Sequence, residues 1–421
     1  MTNQTLHIAG GTVIDPANGL HARSDLRIEA GRIGAVGPDL TPDPSADVLD
    51  ATGLLVVPGL VDLHVHVYPG VADLSVEADL TCLGRGATTV VDGGSAGANT
   101  FAGFRKLVAE PSRGRILAFL NISAMGQVDT HLGELHDLRF ADPERAIAVA
   151  EANRDLIVGF KVRVSEMLAG PNGIAGLERA LEAGTATALP VMVHIGGTPF
   201  GLEEVVDRLR PGDVVTHSFT GWRPGGILGH DGRIVPAARE ARTRGVRFDV
   251  GHGAGSFTWR VAEAALADDF RPDSISTDLH RFNIASPVHD LATTMSKFLL
   301  LGLSLQEVVA MVTSAPAATL GMTGQIGSLA VGSEADVSVL RVEEGRFDLV
   351  DSAGDVREAR QRLVPVAVIR AGVRMPIRPL VTEPPAGVSP GRPPRSGRRP
   401  RSGTSRRGCR RPAPRATPAT D

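Results

Sequence analysis

The chain has 421 residues, with 42% apolar, 22% charged and 4% aromatic content, which suits one large α/β domain plus a smaller one and excludes collagen-like or low-complexity classes. No apolar run approaches the ~18 residues a membrane helix needs, and residues 1–7 lack a signal-peptide pattern. Cys82 and Cys409 are too few for a disulfide framework, so no membrane is expected and a cytoplasmic location is.

The formal net charge of −3 is uneven, because residues 384–421 hold ten arginines and one acid, leaving about −12 on the body. That Pro/Arg-rich tail has little apolar content and is expected to be disordered and solvated, with no nucleic-acid role assigned.

Residues 6–13 and 26–36 read as short strands, with Asn18-Gly19 and Ala30-Gly31 as turn signals. Residues 33–38 and 48–57 continue a small β-rich module that cannot bury much alone. Residues 326–342 and 364–373 are again strand-like. The two ends therefore predict one composite β-sandwich, residues 1–57 with 323–378, flanking a middle domain at 58–322.

The middle opens on Val-Val-Pro-Gly-Leu-Val-Asp-Leu-His-Val-His, ending at His66. Residues i and i+2 of a strand share a face, so His64 and His66 project together from the end of a buried strand. Further apolar runs follow at 88–92, 116–121, 157–163, 191–194, 214–217, 246–250 and 274–278. Amphipathic stretches such as 143–153, 174–188, 235–244 and 261–267 lie between them. Eight β runs alternating with helices predict a (β/α)8 TIM-type barrel of class α/β. A doubly wound sheet needs a Gly-rich phosphate turn after its first strand, and none follows His66.

Functional residues of such barrels sit at the C-terminal ends of the strands. Here those ends carry His64 and His66, then Lys161, His194, His217 and Asp278. Each alone has an ordinary reading as a salt-bridged lysine, a core histidine or a helix cap. Together they read as a metal site, because imidazole and carboxylate suit Zn²⁺ and its divalent neighbours. An ammonium would repel the ions, so Lys161 must be neutral or modified. A lysine carboxylated by CO₂ can supply a bridge between two divalent ions, and such a pair generates hydroxide and polarises a carbonyl. Asp278 can then exchange protons with water and leaving group.

The HxH, Lys, His, His, Asp set resembles the amidohydrolase superfamily over about residues 1–375. The resemblance implies that His64, His66 and Asp278 hold the more buried metal and His194 and His217 the more exposed one. Carboxylated Lys161 bridges them with the nucleophilic hydroxide, and Asp278 is the general acid/base. Gly-Phe-Lys-Val-Arg at 159–163, the segment 249–257 and Asp-Ser-Ile-Ser-Thr-Asp-Leu-His at 273–280 resemble the amidohydrolase/deacetylase, dihydroorotase-like subgroup. Dihydroorotases usually carry an arginine two residues after the second histidine, where this chain has Tyr68. The departure favours a deacetylase of a small N-acyl or O-acyl substrate, with zinc as the implied ion. A cyclic amide hydrolase, dihydroorotase-like or hydantoinase-like, is the enzymatic alternative. A non-catalytic scaffold of the same fold is the alternative of another class, and retention of all six ligand positions weighs against it.

Four further residues are candidate substrate contacts. Tyr68 lies on the first loop, Arg163 shares a strand face with Lys161, His252 sits in a glycine-rich loop, and His280 follows Asp278 by two. His131, His136, His230 and His289 have no strand-end position and read as surface residues. Composition leaves a homo-oligomer open.

Overall fold

The computed structural model describes residues 5–383, so the tail at 384–421, with Cys409, lies outside the described residues. The N-terminal module supplies β1 (Leu6–Asp15), β2 (Leu20–Glu29), β3 (Arg32–Gly37), β4 (Asp47–Asp50) and β5 (Leu55–Pro58). The run expected at 26–36 splits at Ala30-Gly31, both left-handed with φ of 48° and 78°, the geometry of a tight hairpin turn.

Seven parallel strands follow: β6 (Leu60–Val65), β7 (Ala87–Asp92), β8 (Arg115–Asn121), β9 (Ile157–Arg163), β10 (Val191–His194), β11 (Val214–Thr216) and β12 (Arg247–Phe248). They pair in chain order into one curled sheet. Every residue of β6 and β7 is buried, as expected of parallel strands covered on both faces. Helices Pro143–Ala152, Gly173–Thr187, Pro236–Thr243 and Trp259–Ala267 lie close to the amphipathic stretches read from sequence.

The eighth run, 274–278, is not a continuous strand. It makes isolated parallel bridges, Ser274 with Asp249 and Leu279 with Val65. Asp278 N donates to His64 O at 2.6 Å. The interruption has a local cause, because Asp278 adopts φ 47°, outside strand geometry.

The C-terminal strands are β13 (Val337–Val350), β14 (Val356–Arg370) and β15 (Val373–Met375). They join the N-terminal module in a single sheet of order β15-β14-β13-β5-β1-β2-β3, with β4 beside β1. β5 is the seam, parallel to β1 and antiparallel to β13. Ile8, Val13, Leu26, Val56, Val337, Val339 and Ile369 share its core, so both chain ends bury one apolar face together. The strand expected from 326 begins only at Val337. Among the described residues, no helix is long and apolar enough to cross a membrane.

Candidate active site

The site is assembled where the parallel strands end. His64 is the penultimate residue of β6 and His66 follows the strand directly, both buried. His64 Nε2 and His66 Nε2 lie 3.5 and 2.9 Å from Asp278 Oδ1. One donor atom from each of these three side chains falls within 4.8 Å of the others, a cluster that could hold a metal ion. Lys161 is fully buried on β9, with Nζ 3.0 Å from His64 Nε2 and 3.6 Å from Met192 Sδ. His194 ends β10, and its ring centroid is 4.2 Å from that of His217, which follows β11. The His217 ring is in turn 5.1 Å from His64. His217 and Asp278 both hold left-handed backbones, with φ of 65° and 47°, a conformation uncommon among non-glycine residues that Asp and His adopt more readily than most.

Hydrogen bonds aim the histidines. Thr216 Oγ1 donates to Asp249 Oδ2 at 2.8 Å, so it accepts from His64 Nδ1 at 3.0 Å. His217 Nδ1 donates to Gly251 O at 2.7 Å. Both rings therefore turn an Nε2 lone pair inward, the arrangement ligating imidazoles need. His66 Nδ1 lies 2.9 Å from Ser95 Oγ. Asp249 also accepts from Ser274 and Ser276 at 2.6 and 2.7 Å.

Electrostatics favour neutral donors. Burial pushes His66 down to about 3 and His217 down to about 4. His64 and His194 are also held well below the ordinary imidazole value, first by burial and then by the neighbouring Lys161 and His217 respectively. Burial brings the Lys161 amine down to about 7, so its uncharged form is accessible. An uncharged amine facing neutral imidazoles and a sulfur fits both metal proximity and carboxylation by CO₂. The donor set thus fits a divalent ion.

These groups open into a cavity of about 320 Å³. His64, His66, Lys161, Arg163, His194, His217, Asp278 and His280 supply its polar lining, with Leu74, Leu168, Ile195, Trp222 and Phe282 as apolar wall. The structure thus brings together all six residues read as ligands, plus Arg163 and His280. Arg163 is held by Glu134, with Nε and Nη2 each 2.5 Å from a carboxylate oxygen. Burial pushes His280 down to about 4, and its ring lies 6.4 Å from His66.

The other two candidates are placed elsewhere. Tyr68 is buried, donates its hydroxyl to Thr100 O at 2.9 Å and packs edge-on against Phe104. His252 stacks on Phe257 and turns Nε2 to Lys297 Nζ at 2.7 Å, away from the cavity lining. Of the four histidines read as surface residues, His131, His136 and His230 are exposed and His289 is only partly so. Sequence reading missed Ser95, Thr216, Asp249 and Glu134. Asp249, at the end of the seventh strand-like run, was the one with a visible positional signal.

Residues 252–375 match the amidohydrolase family. A deacetylase of Agrobacterium fabrum is 40% identical over 343 residues, covering 81% of this chain and 84% of the relative. A solved structure described as a dihydroorotase superposes with a TM-score of 0.83 at 35% identity, covering 91% of this chain and all of the other. One described as an adenine deaminase superposes with a TM-score of 0.82 at 33% identity, over 88% of this chain and 99% of the other. Identity of 33–40% is thus sustained over at least 81% of this chain. The chain belongs to the amidohydrolase family and is a hydrolase acting on carbon–nitrogen bonds.

Proposed function

We propose that this enzyme is a binuclear metal-dependent deacylase of small N-acyl or O-acyl compounds. The observation that carries the reading is the convergence of His64, His66, Lys161, His194, His217 and Asp278 on one cavity. His64, His66 and Asp278 would hold one ion, His194 and His217 a second, and carboxylated Lys161 would join them. Divalent ions there, zinc being the first to test, supply hydroxide at neutral pH and polarise an acyl carbonyl. The 274–279 segment is read as the eighth stave of a (β/α)8 barrel, which puts Asp278 beside β6.

The chain's own groups do the rest. Asp278 takes a proton from the attacking water and returns it to the leaving nitrogen or oxygen. Thr216, Ser95 and the Gly251 carbonyl keep the imidazoles in place. Leu74, Leu168, Ile195, Trp222 and Phe282 shield the reacting carbonyl from bulk water. Arg163, its charge balanced by Glu134, and His280 face the same space and are read as substrate contacts.

The dihydroorotase-like relative keeps a cyclic amide reading alive. One experiment separates the two. Metal content per chain is measured on protein purified without chelator, alongside turnover of N-acetyl and O-acetyl acids, dihydroorotate and adenine. About two equivalents of metal with acyl release supports the deacylase. Turnover of dihydroorotate or adenine alone replaces the substrate class. Absence of metal after reconstitution with zinc and bicarbonate rejects the reading.

A further inference from the structure

We propose that the tip of the β13–β14 hairpin, residues 350–355, together with Lys297, is a positioning device for the candidate active site, holding the 251–257 loop against His217 and Asp278. Only the kinetic part of its test rests on the deacylase reading above.

The loop touches the site directly. Gly251 O accepts the His217 Nδ1 proton at 2.7 Å. His252 N and Gly253 N donate to Ser276 O and Thr277 O at 3.1 and 2.9 Å, laying this backbone beside the segment that carries Asp278. Gly253 is left-handed, with φ 58°, and a Cβ there would come within 2.5 Å of Asp278 Oδ2. Ala254, Gly255 and Ser256 then line the cavity.

The hairpin tip holds the other side of that loop. Ser352 Oγ donates to Gly253 O at 3.0 Å and accepts from Phe257 N at 3.3 Å. Ser352 N donates to Phe257 O at 2.9 Å. Asp351 Oδ2 accepts from Trp259 N at 2.9 Å, and Trp259 Nε1 donates to Asp355 O at 3.0 Å. Asp351 Oδ1 meanwhile braces the tip by accepting from Ala353 N and Asp355 N.

Lys297, on the helix Leu291–Leu300, locks loop and tip together. Its fully buried Nζ reaches His252 Nε2 at 2.7 Å, Val350 O at 2.7 Å and Pro287 O at 2.9 Å. His252 Nδ1 faces Gly253 O at 2.9 Å and so carries the proton, leaving Nε2 to accept from the lysine. Three acceptors match the three donors of an ammonium. Packing alone needs no amine here, since a methionine fills similar space without desolvating a charge. The polar cluster therefore specifies where the loop sits.

The test uses the full chain carrying Ser352→Ala, Lys297→Met or the conservative Ser352→Thr. Arg346→Ala, on the same hairpin but paired outward with Glu358, is the control. Hydrogen exchange read by mass spectrometry is expected to rise about tenfold or more over residues 251–259 in Ser352→Ala, with the remaining barrel unchanged. Ser352→Thr and Arg346→Ala are expected to match the parent. With an acyl substrate in hand, kcat should fall about tenfold while KM stays within about twofold, because a displaced loop misplaces Asp278 rather than removing a binding surface. Parent-like exchange in the loop of Ser352→Ala overturns the proposal. So does a rise spread evenly over the chain with a matching fall in Tm, the signature of a purely structural role. Should Lys297→Met fail to fold, the half-buried Ser352 variants still decide. If the parent turns over no acyl compound, the deacylase reading fails while the exchange result stands on its own.

Discussion

At the scale of single residues, the site divides into groups that face the cavity and groups that aim them. The first were legible, because strand alternation fixes a face and His64, His66, Lys161, His194, His217 and Asp278 all fall at strand-like ends. The second were not, since Thr216, Ser95 and Asp249 are ordinary polar residues whose role depends on what another strand brings opposite. Thr216→Val is expected to weaken metal binding about 10–100-fold with the fold intact, because His64 loses the acceptor that fixes its tautomer. Thr216→Ser should restore affinity. Zinc competition titration reads both, and parent-like affinity in the valine variant would remove Thr216 from the site. Lys161→Ala is expected to lower metal content and remove most activity, because it deletes the side chain proposed to bridge the ions and whose Nζ lies 3.0 Å from His64 Nε2. Normal metal content with full turnover refutes the bridge.

At the scale of elements, the turn after β7 is as constraining as any strand. Asp92 Oδ1 accepts from Gly94 N and Ser95 N at 3.0 and 2.6 Å, while Oδ2 accepts from Val67 N at 2.9 Å. One carboxylate thus ties the second strand's exit to the loop leaving His66. The turn also runs so near the site that a Cβ on Gly93 would lie 2.2 Å from His64 Cδ2. Gly93→Ala should displace that ring, costing about 1–3 kcal/mol of stability as overpacking does, with loss of bound metal. Denaturant unfolding and metal analysis check it, and parent values for both would show that the ring can move aside. Strands β6 to β11 were readable from short apolar runs between amphipathic stretches. The eighth run was read as a strand, yet its interrupted pairing was not legible, because it turns on the left-handed backbone of Asp278. The clasp between hairpin tip and loop left no local signature either, since its partners lie roughly a hundred residues apart.

At the scale of the molecule, the two chain ends complete one sheet between them. That much follows from sequence, since about 55 residues of short strands cannot bury a core. What the sequence could not reveal is that β5 serves both ends and leads straight into β6, so the terminal sheet sets where the strand carrying His64 begins. Gly59 N donates to Asp336 O at 2.8 Å. Leu60 N donates to Ser338 Oγ at 3.1 Å, and that hydroxyl donates to Gly86 O at 2.6 Å. Pairings across such a separation carry no periodic trace, and each satisfies a buried backbone group that water cannot reach. Ending the chain at residue 336 strips β5 of its antiparallel neighbour and leaves Leu60 N unpaired, so this form is expected to be insoluble or unfolded. Ending it at 383 removes ten arginines and none of these contacts, so its Tm, metal content and turnover should match the full chain. Circular dichroism melts and metal analysis on both truncations test the pair. A folded, metal-binding 1–336 fragment would mean that the parallel sheet sets β6 without the terminal sheet. A loss of turnover at 1–383 would assign the arginine-rich tail a role that its composition does not predict.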